Sequence, residues 1–534
     1  MTVPLTTSSW PLDDSEPVVE STVGQLLREA VAAAPDRTAL VAGVPDPVAR
    51  RRWTYTELLD ESERAARALL GRFQPGERLA VWAPNIPEWV IVEMAAGLAG
   101  LVLVTVNPAY RPAELAYVLR QSRAAGILSV PEFRGNPMAA SLEQVRPELE
   151  ELREVVSFLD WDDLLASGSP QQALPTVRPD DPAQIQYTSG TTGFPKGAWL
   201  HHRGIVNNAR FTAERFEVAD GDVWLNPMPL FHTGGCVLGA LGSLWARATH
   251  IPLLAFDPGL VLELIESEKV AVMGGVPTML IAMMEHPDFT TRDLSSLRSV
   301  LSGGSTVPAE LVRRIEGTLG VRFGIVYGQT EASPVITQTR LDDTPEDKAE
   351  TIGQPQPQQE VQIVDPATDD VVAPGEIGEI RSRGYNVMLG YFELPDATAE
   401  TIDAGGWLHT GDLGTMDDRG YLRIEGRLKD MVIRGGENLY PREIEELLFT
   451  HPAVAEVAVL GIPDEKWGEE LAAVVRRSAG HDDVTEQELR SFVRERLAPQ
   501  KAPKVWAFLD ELPLTPSGKI QKFVLRERFV KGDL

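Results

Sequence analysis

A cluster of glycines and hydroxyl residues with one lysine follows an apolar segment before the middle of the chain. The apolar segment is Ile185 to Tyr187, and the cluster is Thr188-Ser189-Gly190-Thr191-Thr192-Gly193-Phe194-Pro195-Lys196-Gly197. Glycines let the backbone turn so that successive N–H groups point at one anion, while the hydroxyls add donors and Lys196 adds positive charge. This combination predicts a loop that binds a polyphosphate, although its spacing differs from that of the common P-loop.

Three further segments combine glycine with side chains suited to a nucleotide and a cation. They are Ser302-Gly303-Gly304-Ser305, Tyr327-Gly328-Gln329-Thr330-Glu331, and Gly406-Trp407-Leu408-His409-Thr410-Gly411-Asp412 with Arg427 downstream. Glycines allow a flat base to approach the backbone. Glu331 offers the hard oxygen ligand that Mg²⁺ prefers. Asp412 can accept hydrogen bonds from ribose hydroxyls, and Arg427 can donate to them.

Together these motifs resemble, in order and over nearly the whole chain, the adenylate-forming superfamily of acyl-CoA synthetases, luciferases and peptide-synthetase adenylation domains. The resemblance implies ATP-dependent activation of a carboxylic acid to acyl-AMP with release of pyrophosphate, followed by thioester formation with coenzyme A. It implies Mg²⁺ bound by Glu331 and Thr188. It implies ATP bound by Thr188, Ser189, Gly190, Thr191, Thr192, Gly193, Lys196, Gly303, Gly304, Ser305, Tyr327, Gly328, Gln329, Thr330, Asp412, Arg427 and Lys519.

The same resemblance assigns roles near the C-terminus and in the acid-binding region. Lys519, in Pro513-Leu514-Thr515-Pro516-Ser517-Gly518-Lys519-Ile520, matches the catalytic lysine that bonds the carboxylate and the phosphate as they join. Lys196 and His232 are the other catalytic candidates. Lys429 matches a hinge between domains. Gly435, Gly436 and Glu437 match the loop that lines the coenzyme A tunnel.

The acyl pocket is predicted from His232, Gly234, Gly235, Cys236, Gly275 and Val335. Gly234, Gly235 and Gly239 would leave volume, which favours a medium- or long-chain fatty acid or a bulky aryl acid. Cys236 has a second interpretation, as a small packing residue. It is the only cysteine, so the chain forms no intrachain disulfide.

The composition limits the partners. The formal net charge is −28 at pH 7, which disfavours nucleic acid and anionic membranes. Met1 to Glu20 lacks the pattern of a secretory signal, and the apolar run from Met94 to Val106 is too short to span a bilayer. We therefore expect a cytoplasmic protein with no stable membrane insertion, acting on a carboxylic acid, ATP and coenzyme A. The oligomeric state stays open, with a homodimer as one alternative.

Elements that must position these motifs can be predicted from hydrophobic spacing. Helices are predicted over Val23 to Ala34 and after Thr56, Pro87 and Pro112, alternating with strands at Leu79 to Trp82, Leu101 to Val106 and Gly126 to Val130. The pattern predicts an α/β fold: a large N-terminal domain of layered sheets, residues 1–429, with a small β-rich subdomain at about 351–428. A small α+β domain, residues 430–534, follows, and the family resemblance implies that this domain is mobile and carries Lys519.

Two alternatives stay open at this point. The acyl-AMP could pass to a carrier protein or an amine, or the substrate could be an unusual oxyacid. A non-catalytic nucleotide-binding protein is disfavoured by the presence of Lys196, Glu331, Asp412, Arg427 and Lys519.

Overall fold

The fold is that of a computed structural model of the 534-residue chain. The structure describes residues 4–188, 195–303, 309–434, 437–464, 466–514 and 520–534. The strands are β1 (Ser9–Trp10), β2 (Thr38–Val41), β3 (Arg52–Thr54), β4 (Arg78–Trp82), β5 (Val102–Val106), β6 (Gly126–Ser129), β7 (Glu154–Ser157), β8 (Pro182–Thr188), β9 (Lys196–His201), β10 (Val223–Asn226), β11 (Thr249–Pro252), β12 (Val272–Gly274), β13 (Ser299–Gly303), β14 (Arg322–Gly328), β15 (Val335–Gln338), β16 (Gln354–Pro355), β17 (Gln359–Val364), β18 (Gly378–Gly384), β19 (Gly390–Tyr391), β20 (Leu408–Met416), β21 (Leu422–Arg427), β22 (Val432–Arg434), β23 (Glu437–Leu439), β24 (Val454–Asp464), β25 (Gly468–Arg477) and β26 (Val505–Phe508).

The helices lie mainly between these strands and cover the sheets. They are α1 (Val23–Ala33), α2 (Tyr55–Leu70), α3 (Pro87–Ala99), α4 (Pro112–Gln121), α5 (Met138–Val145), α6 (Trp161–Ser167), α7 (His202–Arg215), α8 (Gly242–Trp245), α9 (Pro258–Glu268), α10 (Pro277–Glu285), α11 (Ala309–Leu319), α12 (Pro345–Glu350), α13 (Pro395–Thr401), α14 (Pro441–Phe449), α15 (Glu486–Arg494) and α16 (Lys522–Lys531). A π-helical segment, Gly234–Leu241, leads into α8.

In the described part of the chain the strands form four sheets. The two largest are mixed, with orders β19-β9-β8-β5-β4-β6-β7 and β16-β15-β14-β13-β12-β10-β11-β2-β3. Their central strands are parallel, and antiparallel strands lie at one edge of the first sheet, whose other edge strand β7 is parallel, and at both edges of the second. The third sheet, β1-β17-β18-β20-β21, is antiparallel, and the fourth is β23-β22-β25-β24 with β26 paired to β25. This α/β architecture agrees with the predicted fold class.

Local chemistry explains where the predicted elements begin. Thr22 caps α1 as predicted, because its hydroxyl accepts a 3.2 Å hydrogen bond from the Gln25 N–H. The second helix begins at Tyr55 rather than after Thr56, because Thr54 and Glu57 form a capping box. The run from Met94 to Val106 is the end of α3 followed by β5, as predicted.

Two strands near the predicted sites do not appear in the sequence prediction. Strand β9 begins at Lys196 and pairs antiparallel with β8, although no strand was predicted directly after the glycine-rich segment. Strand β1 pairs with β17 and so belongs to the β-rich subdomain, although its residues lie more than 300 positions before the predicted range of 351–428. Two residues are too few to show an alternating pattern, and long-range pairing forms β1.

No helix among the described residues is long and apolar enough to cross a membrane.

Candidate active site

Three of the predicted nucleotide-binding side chains are joined by hydrogen bonds. The Tyr327 hydroxyl at the end of β14 donates to Oδ2 of Asp412 at 2.9 Å. Oδ1 of Asp412 lies 3.1 Å from Nε of Arg427. The Asp412 carboxylate therefore lies between a phenol and a guanidinium, an arrangement that can present oxygen acceptors and N–H donors to two neighbouring hydroxyls.

The pairing of β20 with β21 produces this arrangement. Asp412 and Arg427 are directly opposite in the antiparallel register. Gly411 precedes Asp412 with φ of +68°, the left-handed region that favours glycine. Burial and the Asp412 carboxylate raise the pKa of Tyr327, so the phenol keeps its proton and acts as the donor at neutral pH.

A second group of side chains brings Glu331 and Lys196 close together around Tyr391. The Tyr391 hydroxyl donates to Oε1 of Glu331 at 2.7 Å. The Lys196 ammonium lies 5.0 Å from the centre of the Tyr391 ring, within the range of a cation–π contact. Strand β19 carries Tyr391 and pairs with β9, whose first residue is Lys196. A cation and a carboxylate thus meet beside the strand that leaves the glycine-rich segment.

The surroundings of Glu331 suit a bound Mg²⁺. The residue is only 8% exposed, and burial raises the pKa of its carboxyl. A nearby cation would favour the ionised form. Mg²⁺ usually takes one or two protein carboxylates and completes its shell with water and phosphate oxygens. No cluster of three or more His, Cys, Asp or Glu residues in the described ranges could hold a metal by itself, so a cation at Glu331 would rely on such oxygens.

Other predicted residues lie around these two groups. Thr188 pairs with Lys196 across β8 and β9, and its hydroxyl donates to the Lys196 carbonyl at 3.4 Å. Gly303 ends β13, and Gln329 and Thr330 begin the short turn that leads to Glu331. Gly328 packs tightly, because a Cβ there would lie 1.9 Å from the Pro334 carbonyl oxygen.

Several predicted residues fall outside the described ranges. They are Ser189, Gly190, Thr191, Thr192, Gly193, Gly304, Ser305, Gly435, Gly436 and Lys519. Their roles stay predictions. Two other predicted residues are described. Glu437 is exposed at the start of β23 and accepts a 2.9 Å hydrogen bond from Gln500, and Lys429 is exposed in a turn after β21.

His232 is exposed and lies where the π-helical segment begins. Its Nδ1 accepts a 3.2 Å hydrogen bond from the Gly234 N–H, and its carbonyl accepts from both Gly235 and Cys236. π-Helical turns are rare and often occur at functional sites. The role of His232 in the acyl pocket stays a prediction.

The volume argument for the acyl pocket is wrong for two of its glycines. A Cβ at Gly235 would lie 2.1 Å from the Pro229 carbonyl oxygen, and one at Gly239 would lie 2.2 Å from Nδ2 of Asn226. Both glycines allow close packing of the π-helical segment and border no open space. Gly234 differs, since a Cβ there would be 3.6 Å from its nearest neighbour, Nδ1 of His232. Among the other predicted pocket residues, Gly275 would have its nearest neighbour at 3.4 Å, and Val335 is buried in the core.

Cys236 lies in a buried polar cluster. Its sulfur accepts a 3.2 Å hydrogen bond from Gln186 and lies 3.6 Å from the Gln184 side-chain oxygen. The Gln184 amide in turn donates to Glu93 at 2.6 Å. Burial and the Glu93 carboxyl raise the pKa of the Cys236 thiol, which makes it a poor nucleophile. This position favours the second interpretation, a small packing residue.

Sequence reasoning missed Tyr391, which contacts both Glu331 and Lys196. The available signal was an aromatic residue after glycine in Gly390-Tyr391-Phe392, a pattern too common to single out. It also missed the backbone hydrogen bond from Met388 to the Glu331 carbonyl, at 2.9 Å, because no side-chain type marks such a contact.

Comparison with known proteins identifies the family. The family model described as AMP-binding enzyme matches residues 27–392, and the one described as AMP-binding enzyme C-terminal domain matches residues 443–519. YngI of Bacillus subtilis (strain 168), provisionally named an acyl-CoA synthetase, is 42% identical, with 96% of this chain and 98% of that protein covered. The mitochondrial medium-chain acyl-CoA ligase ACSF2 of Danio rerio is 39% identical, with 99% and 91% covered. The crystal structure of ATP-bound MatB from Rhodopseudomonas palustris matches with a TM-score of 0.85 at 31% identity, covering 95% of this chain and 99% of that one.

The chain belongs to the AMP-binding enzyme family. Within it the protein is an acyl-CoA synthetase, an AMP-forming ligase that activates a carboxylic acid through an acyl-AMP and forms its coenzyme A thioester. The predicted family, fold class and enzyme class are confirmed.

Proposed function

We propose that this acyl-CoA synthetase acts on a medium- or longer-chain fatty acid or a bulky aryl acid, with Mg²⁺ at Glu331 and Lys519 as the catalytic lysine. The observation that carries the proposed site is that Tyr391 contacts Lys196 through its ring and Glu331 through its hydroxyl. The preference for medium-length acids is supported by similarity to ligases named for medium-chain substrates.

The proposed roles follow from the positions of the side chains. Asp412 and Arg427 would bind the ribose, Tyr327 would pack against the base, and Lys196 with the glycine-rich segment would bind phosphate oxygens. The substrate carboxylate attacks the α-phosphorus, the bond to pyrophosphate breaks, and acyl-AMP forms. Two anions approach each other in this step, so a placed cation such as Lys519 would both orient and stabilise them.

Glu331 and Thr188 would hold Mg²⁺, which when bound neutralises phosphate charge. Glu331 is already oriented by the Tyr391 hydroxyl, so the protein supplies a fixed carboxylate. In the thioester step the thiol of coenzyme A attacks the acyl carbonyl, and AMP leaves. The path of the coenzyme A thiol would be lined by Gly435, Gly436 and Glu437. His232 would lie near the substrate carboxylate.

The domain division proposed is 1–429 and 430–534, with Lys429 as the hinge. It is supported by a hydrophobic core made only of residues from Val432 onward. We propose a cytoplasmic enzyme that forms a homodimer, which cell fractionation and light scattering would test.

A pyrophosphate-release screen across fatty, aryl and amino acids, with and without coenzyme A, tests the proposal. We expect release with acids of at least medium length, and AMP release that depends on coenzyme A. Acetate as the best substrate would overturn the substrate class. Use of an amine or a carrier protein in place of coenzyme A would overturn the acceptor.

A further inference from the structure

Helix α7 connects the two sides of the candidate active site. It begins at His202, directly after β9, the strand that starts with Lys196. Its inner face packs against β15, the strand that follows the Glu331 turn. Helix α7 therefore contacts β9, which follows the phosphate-binding segment, and β15, which follows the proposed metal-binding turn.

Asn208 hydrogen-bonds the first residue of β15. The side chain is completely buried, and its Nδ2 donates to the Val335 carbonyl at 2.8 Å. Its Oδ1 accepts from the Val335 N–H at 3.0 Å. The amide thus bonds both backbone groups of Val335, four residues after Glu331. The Val335 carbonyl also accepts from Nε2 of Gln359 at 3.2 Å and from Nδ2 of Asn386 at 3.4 Å. Several buried amides therefore fix the start of β15, and Asn208 is the one among them that also accepts from the Val335 N–H.

A second residue of α7 fixes the other end of the same strand. The Arg215 guanidinium donates to the Gln338 carbonyl at 3.2 Å, and also to the carbonyls of Gln354 and Pro355. Seven helical residues rise about 10 Å. The three residue steps from Val335 to Gln338 span about the same length in a strand. Helix and strand are therefore held in register at two points.

The turn between Glu331 and Val335 is held from its opposite side by another segment. The Met388 N–H donates to the Glu331 carbonyl at 2.9 Å, and Nδ2 of Asn386 donates to the Ala332 carbonyl at 3.0 Å. With Asn208 at Val335, the backbone of the turn has fixed partners at both ends, so the path of the turn that carries Glu331 is set by the hydrogen bonds at each end.

We propose that Asn208 is a positioning residue, which acts through Val335 to hold the Glu331 carboxylate where Mg²⁺ with ATP can use it. The proposal rests on the proposed function of Glu331 as the metal ligand. Partners that orient a metal ligand typically contribute about 10–100-fold in metal affinity or activity.

The chain contains a matched control for Asn208. Asn207, the preceding residue of α7, is also completely buried. Its Nδ2 donates to the Val19 carbonyl at 2.9 Å, and its Oδ1 accepts from the Val19 N–H at 2.8 Å. The two asparagines therefore make the same kind of backbone pair in the same helix, but only Asn208 faces the strand that follows Glu331.

The test compares Asn208→Asp with Asn207→Asp, since each change replaces an N–H donor by an oxygen that faces a carbonyl. At a fixed ATP concentration, Mg²⁺ is titrated, and the rise in unfolding temperature gives the Mg²⁺ concentration at half effect. Pyrophosphate release is measured over the same titration. We expect Asn208→Asp to need at least about tenfold more Mg²⁺ in both measurements, and Asn207→Asp to match the wild type although both variants lose stability.

Equal Mg²⁺ requirements in the two variants would overturn the proposal. If an aspartate variant does not fold, the pair Asn208→Ser and Asn207→Ser is read by the same criterion. ATP binding by the wild type that does not depend on Mg²⁺ would instead overturn the proposed role of Glu331. Failure of the Asn208 proposal and failure of the Glu331 proposal therefore give different results.

Discussion

The hydroxyl of Tyr391 donates a 2.7 Å hydrogen bond to the carboxylate of Glu331, although the two residues are 60 positions apart in the chain. The same ring lies under the Lys196 ammonium. A single aromatic side chain therefore orients the proposed metal ligand and contacts the proposed phosphate-binding cation.

Removal of the Tyr391 hydroxyl should weaken the use of Mg²⁺. In Tyr391→Phe the ring stays beside Lys196 while Glu331 loses its donor, so we expect about a tenfold or larger rise in the Mg²⁺ concentration needed for half-maximal pyrophosphate release. Tyr421→Phe is the control, because the Tyr421 hydroxyl also donates to a carboxylate, Asp343 at 2.6 Å, which is not part of the proposed site. An unchanged Mg²⁺ requirement in Tyr391→Phe would show that the hydroxyl does not orient the ligand.

Asp412→Asn should raise the KM for ATP. The change removes the charge that faces Arg427, and the proposed ribose acceptor loses one oxygen. A hydrogen bond to a charged group contributes about 1.5–3 kcal/mol, which predicts a rise of about 10- to 150-fold. Asp417→Asn, beyond the end of the same strand, should leave this KM unchanged. Equal effects of the two substitutions would argue against a ribose site at Asp412.

Lys519→Ala should separate the two half-reactions. Loss of one preorganised donor typically lowers the rate by about 10²–10³, and we expect this loss in acyl-AMP formation. Conversion of supplied acyl-AMP and coenzyme A should continue, because that step needs no cation between carboxylate and phosphate. Lys531→Ala, on the exposed end of α16, serves as the control. Survival of acyl-AMP formation would disprove the assignment, and equal loss of both steps would contradict a role for Lys519 that is confined to acyl-AMP formation.

Glu93→Gln should change how stability depends on pH. Burial raises the pKa of Glu93 from 4.5 to about 8 in the folded protein. Between these values the folded state holds a proton that the unfolded chain has lost, so the free energy of unfolding falls as pH rises, by up to about 1.4 kcal/mol per pH unit. Above pH 8 the folded state has also lost the proton, so Glu93 no longer changes the free energy of unfolding with pH.

Glutamine can still accept the hydrogen bond from Gln184 but does not titrate. The unfolding temperature of Glu93→Gln should therefore exceed that of the wild type by an amount that grows from pH 5 to pH 8. Glu285→Gln, an exposed change, should show a difference that does not vary with pH. A pH-independent difference for Glu93→Gln would mean that Glu93 does not titrate in this range.

Much of the architecture could be predicted from the sequence because its signals are local. Hydrophobic spacing and capping residues indicated α1, α3 and β5, and the motifs, by their residue types and their order along the chain, indicated the family. The residues Tyr327, Asp412 and Arg427 carry their chemistry in their side-chain types, so their roles could be proposed without knowing their distances.

Tertiary structure alone decided which residues support that chemistry. Tyr391 and Asn208 have no distinctive local pattern, and their importance comes from partners 60 and 127 positions away. The glycines of the acyl region also show what the sequence cannot decide. A missing side chain can mean open space or close backbone packing, and only the position of the Pro229 carbonyl shows that Gly235 belongs to the second case. Sequence therefore determined the residue types available for the chemistry, whereas folding determined which of them meet, because contact depends on where distant backbone segments lie.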